Sequence, residues 1–306
     1  MHEGSKKAVV AALAANLGIA VTKFAGFFFT GAASMLAEAV HSLADCGNQG
    51  LLIFGGASAK RAATELHPFG FARERYFWAF IVALVIFMLG GAFAIYEGVD
   101  KFLHPHELRS PLIAVGILGV GIVLEYWSFR TASVEANLLR GDRTWLQFIR
   151  STKAAELPVI LLEDMGALIG LVFALLGIGL SIWTHEPRFD ALGSVAIGLL
   201  LVVIALLLAT EMRSLLVGEA ASEDVLRLIE EALLRGSAAR CLIHLRTSHL
   251  GPEELLVGAK LAFDENLKFA DVAREIDEAE ARVRAVVPIA RLIYIEPDVW
   301  HEPEPQ

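Results

Sequence analysis

The 306-residue sequence predicts an all-α bundle of six membrane-spanning helices followed by a small α+β domain. Three observations predict it. Apolar residues make up 56% of the chain and the mean hydropathy is +0.57, far above that of an average soluble domain. These residues gather in runs close to the ~20 residues that a helix needs to cross a hydrocarbon core of about 30 Å. After Arg213 the composition turns polar, and helix-like and strand-like periods replace the continuous runs.

The runs cover 9–29, 34–56, 76–98, 111–127, 157–182 and 191–209. The first follows Lys6 and Lys7, is long for the apolar core of a cleavable leader and has no clear cleavage site after it, so it reads as a retained span. The second is interrupted by Glu38, His41 and Asp45, yet no turn signal breaks it. The third and sixth read as clean apolar helices. The fifth carries Pro158 near its start, where proline is tolerated. Trp78, Trp127 and Trp183 fall near span ends, as interfacial anchors do.

Loop charges orient the bundle. One set of loops carries Lys6, Lys7, Lys60, Arg61, Arg73, Arg75, Arg130, Arg143, Arg150 and Lys153, and the opposite set only Lys101, Arg109 and Arg188. This asymmetry places both termini in the cytoplasm, with a bacterial inner or plasma membrane as the expected location.

Beyond an acidic stretch at 219–224, residues 225–234 read as an amphipathic helix, 241–247 and 255–263 as strands, 270–286 as a second helix and 290–295 as a last strand. Val272, Ile276, Ala279 and Val283 share one face of that second helix. The expected division is a transmembrane domain over 1–212, a soluble domain over 213–298 and a flexible tail over 299–306. A unit of about 80 residues is marginal alone, which favours pairing with a second copy. The net charge of -9 excludes nucleic acid as a partner, which needs a basic footprint. Two cysteines, Cys46 and Cys241, give neither a disulfide framework nor a Cys-x-x-Cys metal motif.

His41 and Asp45, four residues apart, share a helix face inside an apolar run. An ionisable pair at that depth is costly and marks a functional site. An imidazole nitrogen and a carboxylate one turn apart can share a divalent ion. Asn48 returns to the same face, as a weak oxygen ligand, a donor that orients the ligands, or a packing contact. Asp164 is the expected partner from a second helix, while Glu163 points about 100° away and is a candidate ligand, a wall of the access path or a proton carrier. Glu156 lies nearer the entrance. Gly47, Gly50, Gly166, Ala167 and Gly170 allow close helix contact. Asp190 reads as a helix cap and His104 and His106 as surface residues. Metal binding to deprotonated ligands releases protons, which makes exchange of metal for protons a natural consequence.

Three stretches carry a resemblance: Ser34-Met-Leu-Ala-Glu-Ala-Val-His-Ser-Leu-Ala-Asp-Cys-Gly-Asn-Gln49, His67-Pro-Phe-Gly-Phe-Ala-Arg-Glu-Arg-Tyr76 and Arg188-Phe-Asp-Ala-Leu-Gly-Ser-Val-Ala-Ile-Gly198. Leu245-Arg-Thr247 and Gly251-Pro252 in the tail add to it. Together they resemble the cation diffusion facilitator family, in the form found in the branch around mammalian zinc transporter nine. The resemblance implies a homodimer in the lipid bilayer with a ferredoxin-like cytoplasmic domain. It implies efflux of a divalent metal, zinc in the first instance, against protons by alternating access. It also implies that the ligand pair of span two falls on His41 and Asp45 and the last ligand of span five on Asp164. The family's remaining ligand position falls on Ile160, which cannot ligate, so Glu163, Asn48 or water would complete the shell. Such an oxygen-rich set keeps manganese, iron and cobalt as alternatives. His67 lacks its usual companion, which is Phe71, and Tyr294 and Glu296 stand where relatives bind zinc. His244 and His249 do not reproduce that cluster. The tail is therefore expected to serve dimerisation. No enzyme activity and no resident cofactor are implied. A metal-binding scaffold or regulator without appreciable transport is the competing reading.

Overall fold

The computed structural model describes residues 3–108 and 110–299. Arg109 and the part of the expected flexible tail from residue 300 onward lie outside the described residues. Helices α1 (Glu3–Thr30) and α2 (Ala33–Ser58) are joined by a tight turn at Gly31, whose φ of 64° suits a residue without a Cβ. The third apolar run is one helical rod in three parts: α3 (Glu74–Val85), a π-helical segment (Ile86–Ala92) and α4 (Phe93–Leu103). Then come α5 (Pro111–Arg140), α6 (Trp145–Ser151), α7 (Glu156–Thr184) and α8 (Arg188–Val217). Among the described residues, Glu74–Leu103, Pro111–Arg140, Glu156–Thr184 and Arg188–Val217 are long and apolar enough to cross a membrane. This is an integral membrane protein with an all-helical bundle. In α2 the stripe Glu38, His41, Asp45, Asn48 and Gln49 dilutes the apolar run.

The elements of the helical bundle depart from expectation in four places. The third run is not a plain α-helix. It widens into a π turn where Gly90 and Gly91 let α8 approach. A Cβ on Gly91 would lie 2.8 Å from Val202 Cγ2, and one on Gly198 would lie 2.7 Å from the Gly91 carbonyl oxygen, so the two helices touch through bare backbone. Second, α5 continues about three turns past residue 127, to Arg140, and stops at Gly141, where φ is 59°. Third, the short α6 has too few residues for a legible apolar period. It is nucleated by a capping box in which Thr144 and Gln147 exchange side chain-to-backbone hydrogen bonds of 3.3 and 2.9 Å.

Asp190 is the fourth. It is a cap, but for a different helix from the one it starts. Its fully buried carboxylate accepts from the backbone N–H groups of Ala33 and Ser34 at 2.7 and 3.3 Å, at the beginning of α2. The Ser34 hydroxyl and, at 3.1 Å, the Lys101 ammonium also donate to it. Lys101 donates in addition to the Gly31 carbonyl. One carboxylate thus ties α8, α4 and the amino-terminal end of α2, satisfying donors that would be orphaned in an apolar environment.

The chain divides into two compact units, and the second takes in both Lys60–Arg73 and the residues from Ser214 onward. In that unit α9 (Glu223–Leu234) precedes a hairpin of β1 (Cys241–Gly251) and β2 (Glu254–Phe263), then α10 (Phe269–Val286) and β3 (Ala290–Val299). The sheet order is β1-β2-β3, with β1 antiparallel and β3 parallel to β2. Ile229 and Leu233 of α9 and Ala279 and Val283 of α10 pack with Leu255, Val257 and Leu261 of β2 in one core. β3 runs four residues past its expected end at 295, so Glu296, Pro297, Asp298 and Val299 pair with β2, and Val299, placed in the expected tail, belongs to the sheet. Proline is tolerated there because β3 is an edge strand. The Lys60–Arg73 segment belongs to this unit through Ala72, which a Cβ on Gly251 would approach to 2.7 Å.

Candidate metal centre

The site begins with the spacing of polar residues on α2. Ser34, Glu38, His41, Asp45 and Asn48 recur at three- and four-residue steps and, but for the slightly exposed Asp45, are buried, so they form one stripe facing the neighbouring helices. His41 Nδ1 lies 3.5 Å from Asp45 Oδ1. Neither ring nitrogen of His41 makes a hydrogen bond among the described residues, although the side chain is only 1% exposed. The ring is accommodated by the π segment: a Cβ on Gly90 would sit 3.8 Å from His41 Nδ1.

From α7, Glu163 reaches the same stripe. Its Oε1 accepts from Asn48 Nδ2 at 3.1 Å. Asp164, the next residue, turns toward α5, where the Ser128 hydroxyl donates to its Oδ2 at 3.0 Å. Both acids nevertheless line one small polar cavity of about 20 Å³, room for about one water-sized particle. Ser42, Asp45 and Gln49 of α2 face it, with Asn16 of α1 and Glu125 and Ser128 of α5. His41 stands beside Asp45 and is not among the side chains on the cavity wall. Ile160, one turn before Asp164, is 37% exposed, whereas Val159 and Glu163 on the inner face are buried.

Four carboxyl groups, from Asp45, Glu125, Glu163 and Asp164, thus surround a space between apolar helices. In so low a dielectric their field strongly favours a cation. Among the described residues no three His, Cys, Asp or Glu side chains are gathered closely enough to hold a metal ion. The walls are in place around the cavity without being drawn into a closed shell.

Beside the cavity is a buried ion pair. Lys23 of α1 donates to Glu38 Oε2 at 3.1 Å and to Ser42 Oγ at 2.7 Å, and both charged side chains are at most 1% exposed. Gly170 of α7 makes room for this pair, since a Cβ there would sit 2.5 Å from Glu38 Oε1. Ser42 both accepts from Lys23 and lines the cavity.

Sequence reasoning singled out His41, Asp45, Asn48, Glu163 and Asp164 and missed Lys23, Glu125, Asn16 and Ser128. The signal for Lys23 and Glu125 was a lone charge inside an apolar run, the same signal that flagged α2. Other candidates are engaged elsewhere. Glu156 pairs with Arg75 at 2.8 Å, His104 with Asp100 at 3.3 Å, and Glu296 with Lys260 at 3.1 Å. His67 packs against the Phe71 ring, their centroids 4.6 Å apart.

Comparison with known proteins sets this geometry in a family. Residues 9–217 match the model of the cation efflux transmembrane domain. The chain is 31% identical over 292 residues to a mitochondrial proton-coupled zinc antiporter of Mus musculus, covering 91% of this chain and 51% of the relative. It therefore spans about half the length of that relative. It is 29% identical over 262 residues to metal tolerance protein C4 of Arabidopsis thaliana, covering 85% of this chain and 57% of the relative. The cation-efflux pump FieF of Pectobacterium atrosepticum is 27% identical over 301 residues, with 98% of this chain and 94% of the relative covered. A four-carboxyl cavity among apolar helices, in a chain matching this domain over most of its membrane part, identifies it as a member of the cation efflux family.

Proposed function

We propose that the chain exports a divalent metal, zinc in the first instance, in exchange for protons. The observation that carries this reading is the cavity walled by Asp45, Glu125, Glu163 and Asp164 between apolar helices. The carboxyl groups of Asp45 and Glu163 crowd one low-dielectric cavity, where a proton on one of them relieves their repulsion while no cation is present. A divalent ion arriving there displaces that proton, and reprotonation from the far side releases the ion. His41, beside Asp45, supplies the nitrogen donor, Asp164 the oxygen from the α5 side, and Asn48 holds Glu163 in place. Drawing these groups around the ion is part of the alternating-access cycle.

The same reading takes α1 and α2 as two further spans, making six, since 28 and 26 residues are enough for a crossing. The basic loops lie in the cytoplasm of a bacterial cell with both termini, and the C-terminal unit is a ferredoxin-like cytoplasmic domain that pairs two copies. The αββαβ order and the small core support that assignment.

The test is metal uptake into proteoliposomes, with zinc compared against manganese, iron and cobalt, with and without a pH gradient. Zinc flux driven by the gradient is expected, and it disappears in Asp45→Ala and Asp164→Ala while the variants still purify as folded dimers. Undiminished flux in both variants overturns the site. Binding without turnover for every metal supports the scaffold reading instead, which the unclosed ligand set favours.

A further inference from the structure

Glu125 has no structural employment in this fold. It lies in the apolar part of α5 and makes no hydrogen bond or ion pair among the described residues, while the nearby cation, Lys23, is committed to Glu38 and Ser42. An acid kept in a membrane helix without a partner is costly. Its position removes the puzzle: it lines the cavity shared with Asp45, Glu163 and Asp164.

We propose that Glu125 is a direct ligand of the transported cation, so that the site is built from three helices, α2, α5 and α7. The proposal rests on the cavity being the cation site. Three further observations support it. Ser128, one turn on from Glu125, bonds to Asp164, which fixes that face of α5 against the acidic end of the site. On α7, Ile160, 37% exposed, has no donor atom and is not on the cavity wall, so the site lacks a donor that Glu125, which is on that wall, can supply. His41, 1% exposed and with neither ring nitrogen hydrogen-bonded, stands 3.5 Å from Asp45 just behind the cavity wall, so a nitrogen donor adjoins the acids. A ligand set of carboxylates with one imidazole is harder than a histidine-rich one and is suited to manganese, iron and cobalt as well as to zinc.

Two measurements on the full-length chain in lipid nanodiscs test the assignment. The first is zinc affinity by calorimetry for Glu125→Gln and Asp45→Asn, with thermal melting as the folding control. The expected loss for Glu125→Gln is more than the ~10- to 100-fold that removal of an outer-shell partner costs, and it is complete for Asp45→Asn. The second uses Glu125→Cys in a chain whose Cys46 and Cys241 are replaced by alanine. Cadmium is expected to give a thiolate-to-metal ultraviolet absorption band that is absent in the parent, because a thiolate at that position binds the soft ion directly. If Asp45→Asn loses binding but Glu125→Gln does not, Glu125 is no ligand and the cavity stands. If Glu125→Gln weakens binding but the cysteine variant shows no band, Glu125 acts only through its field and direct ligation is overturned. If Asp45→Asn binds normally, the cavity itself is the wrong site.

Discussion

Lys23 and Glu38 are held together inside the bundle by one contact of 3.1 Å, and the lysine also donates to the Ser42 hydroxyl. Removing one partner leaves an uncompensated charge where water cannot reach it. Lys23→Met is expected to destabilise the chain by about 3–5 kcal/mol, and adding Glu38→Gln to it is expected to restore most of that loss. Thermal melting of the purified variants in one detergent reads both, and equal melting points for Lys23→Met and the parent would end the argument. His41 and Asp45 were legible because two ionisable groups at helical spacing reinforce each other. Lys23 and Glu125 were not, because each is the lone charge of its apolar run and only the packing of α1 and α5 against α2 and α7 brings it to the others. Asp164 was legible as a site residue, whereas the deep placement of Glu163 was not: which of two adjacent acids faces inward depends on the rotation of α7, and no neighbour-independent pattern fixes that.

At the scale of elements, the contact between α4 and α8 is set by glycines. Gly198→Ala would place a methyl group 2.6 Å from Ile95 Cγ1 and 2.8 Å from the Ile95 nitrogen. Such overpacking is expected to cost about 1–3 kcal/mol, whereas Gly179→Ala, where a Cβ meets nothing within 4 Å, is expected to be tolerated. Melting points of the two variants side by side provide the check, and equal losses would remove the special role of Gly198. Long helices were readable from hydropathy alone. The π turn was not, because it comes from the pressure of α8 on Gly90 and Gly91 and leaves no mark on the apolar pattern. Asp190 was readable as a cap, since an acid beside a proline at a helix start is a local signal. The identity of the helix it caps was not, since Ala33 and Ser34 lie more than 150 positions away in the chain.

At the scale of the molecule, the C-terminal unit carries its own response to acid. Burial works to raise the Glu275 carboxyl, but hydrogen bonds from Arg282, the Ala238 backbone and Ser237 outweigh it and hold the group below its ordinary 4.5. A depressed carboxyl stabilises the fold fully above its unfolded value and loses that contribution as pH falls through the folded one. Arg282 also donates to the Ala232 carbonyl at 2.8 Å, so the protonation of Glu275 loosens α10 from α9. Amide exchange in these two helices is expected to accelerate as pH is lowered below about 4.5, after correction for intrinsic rates, and to lose this pH dependence in Glu275→Gln; an unchanged profile in that variant would assign the effect elsewhere. The helices and strands of this unit were legible in sequence, but the membership of Lys60–Arg73 was not, because its contacts are made with strands far along the chain. That membership has a consequence for how the molecule is made. A ribosome adds about 5–20 residues per second, so roughly 10 to 40 seconds separate the emergence of Arg73 from that of Leu250 and Leu256, with which it lines a surface hollow. During that interval the segment has no finished unit to join, while α3 to α8 are synthesised. Leu66 and Phe69 are then apolar side chains in waiting, and a translational pause after Arg213 would prolong their exposure.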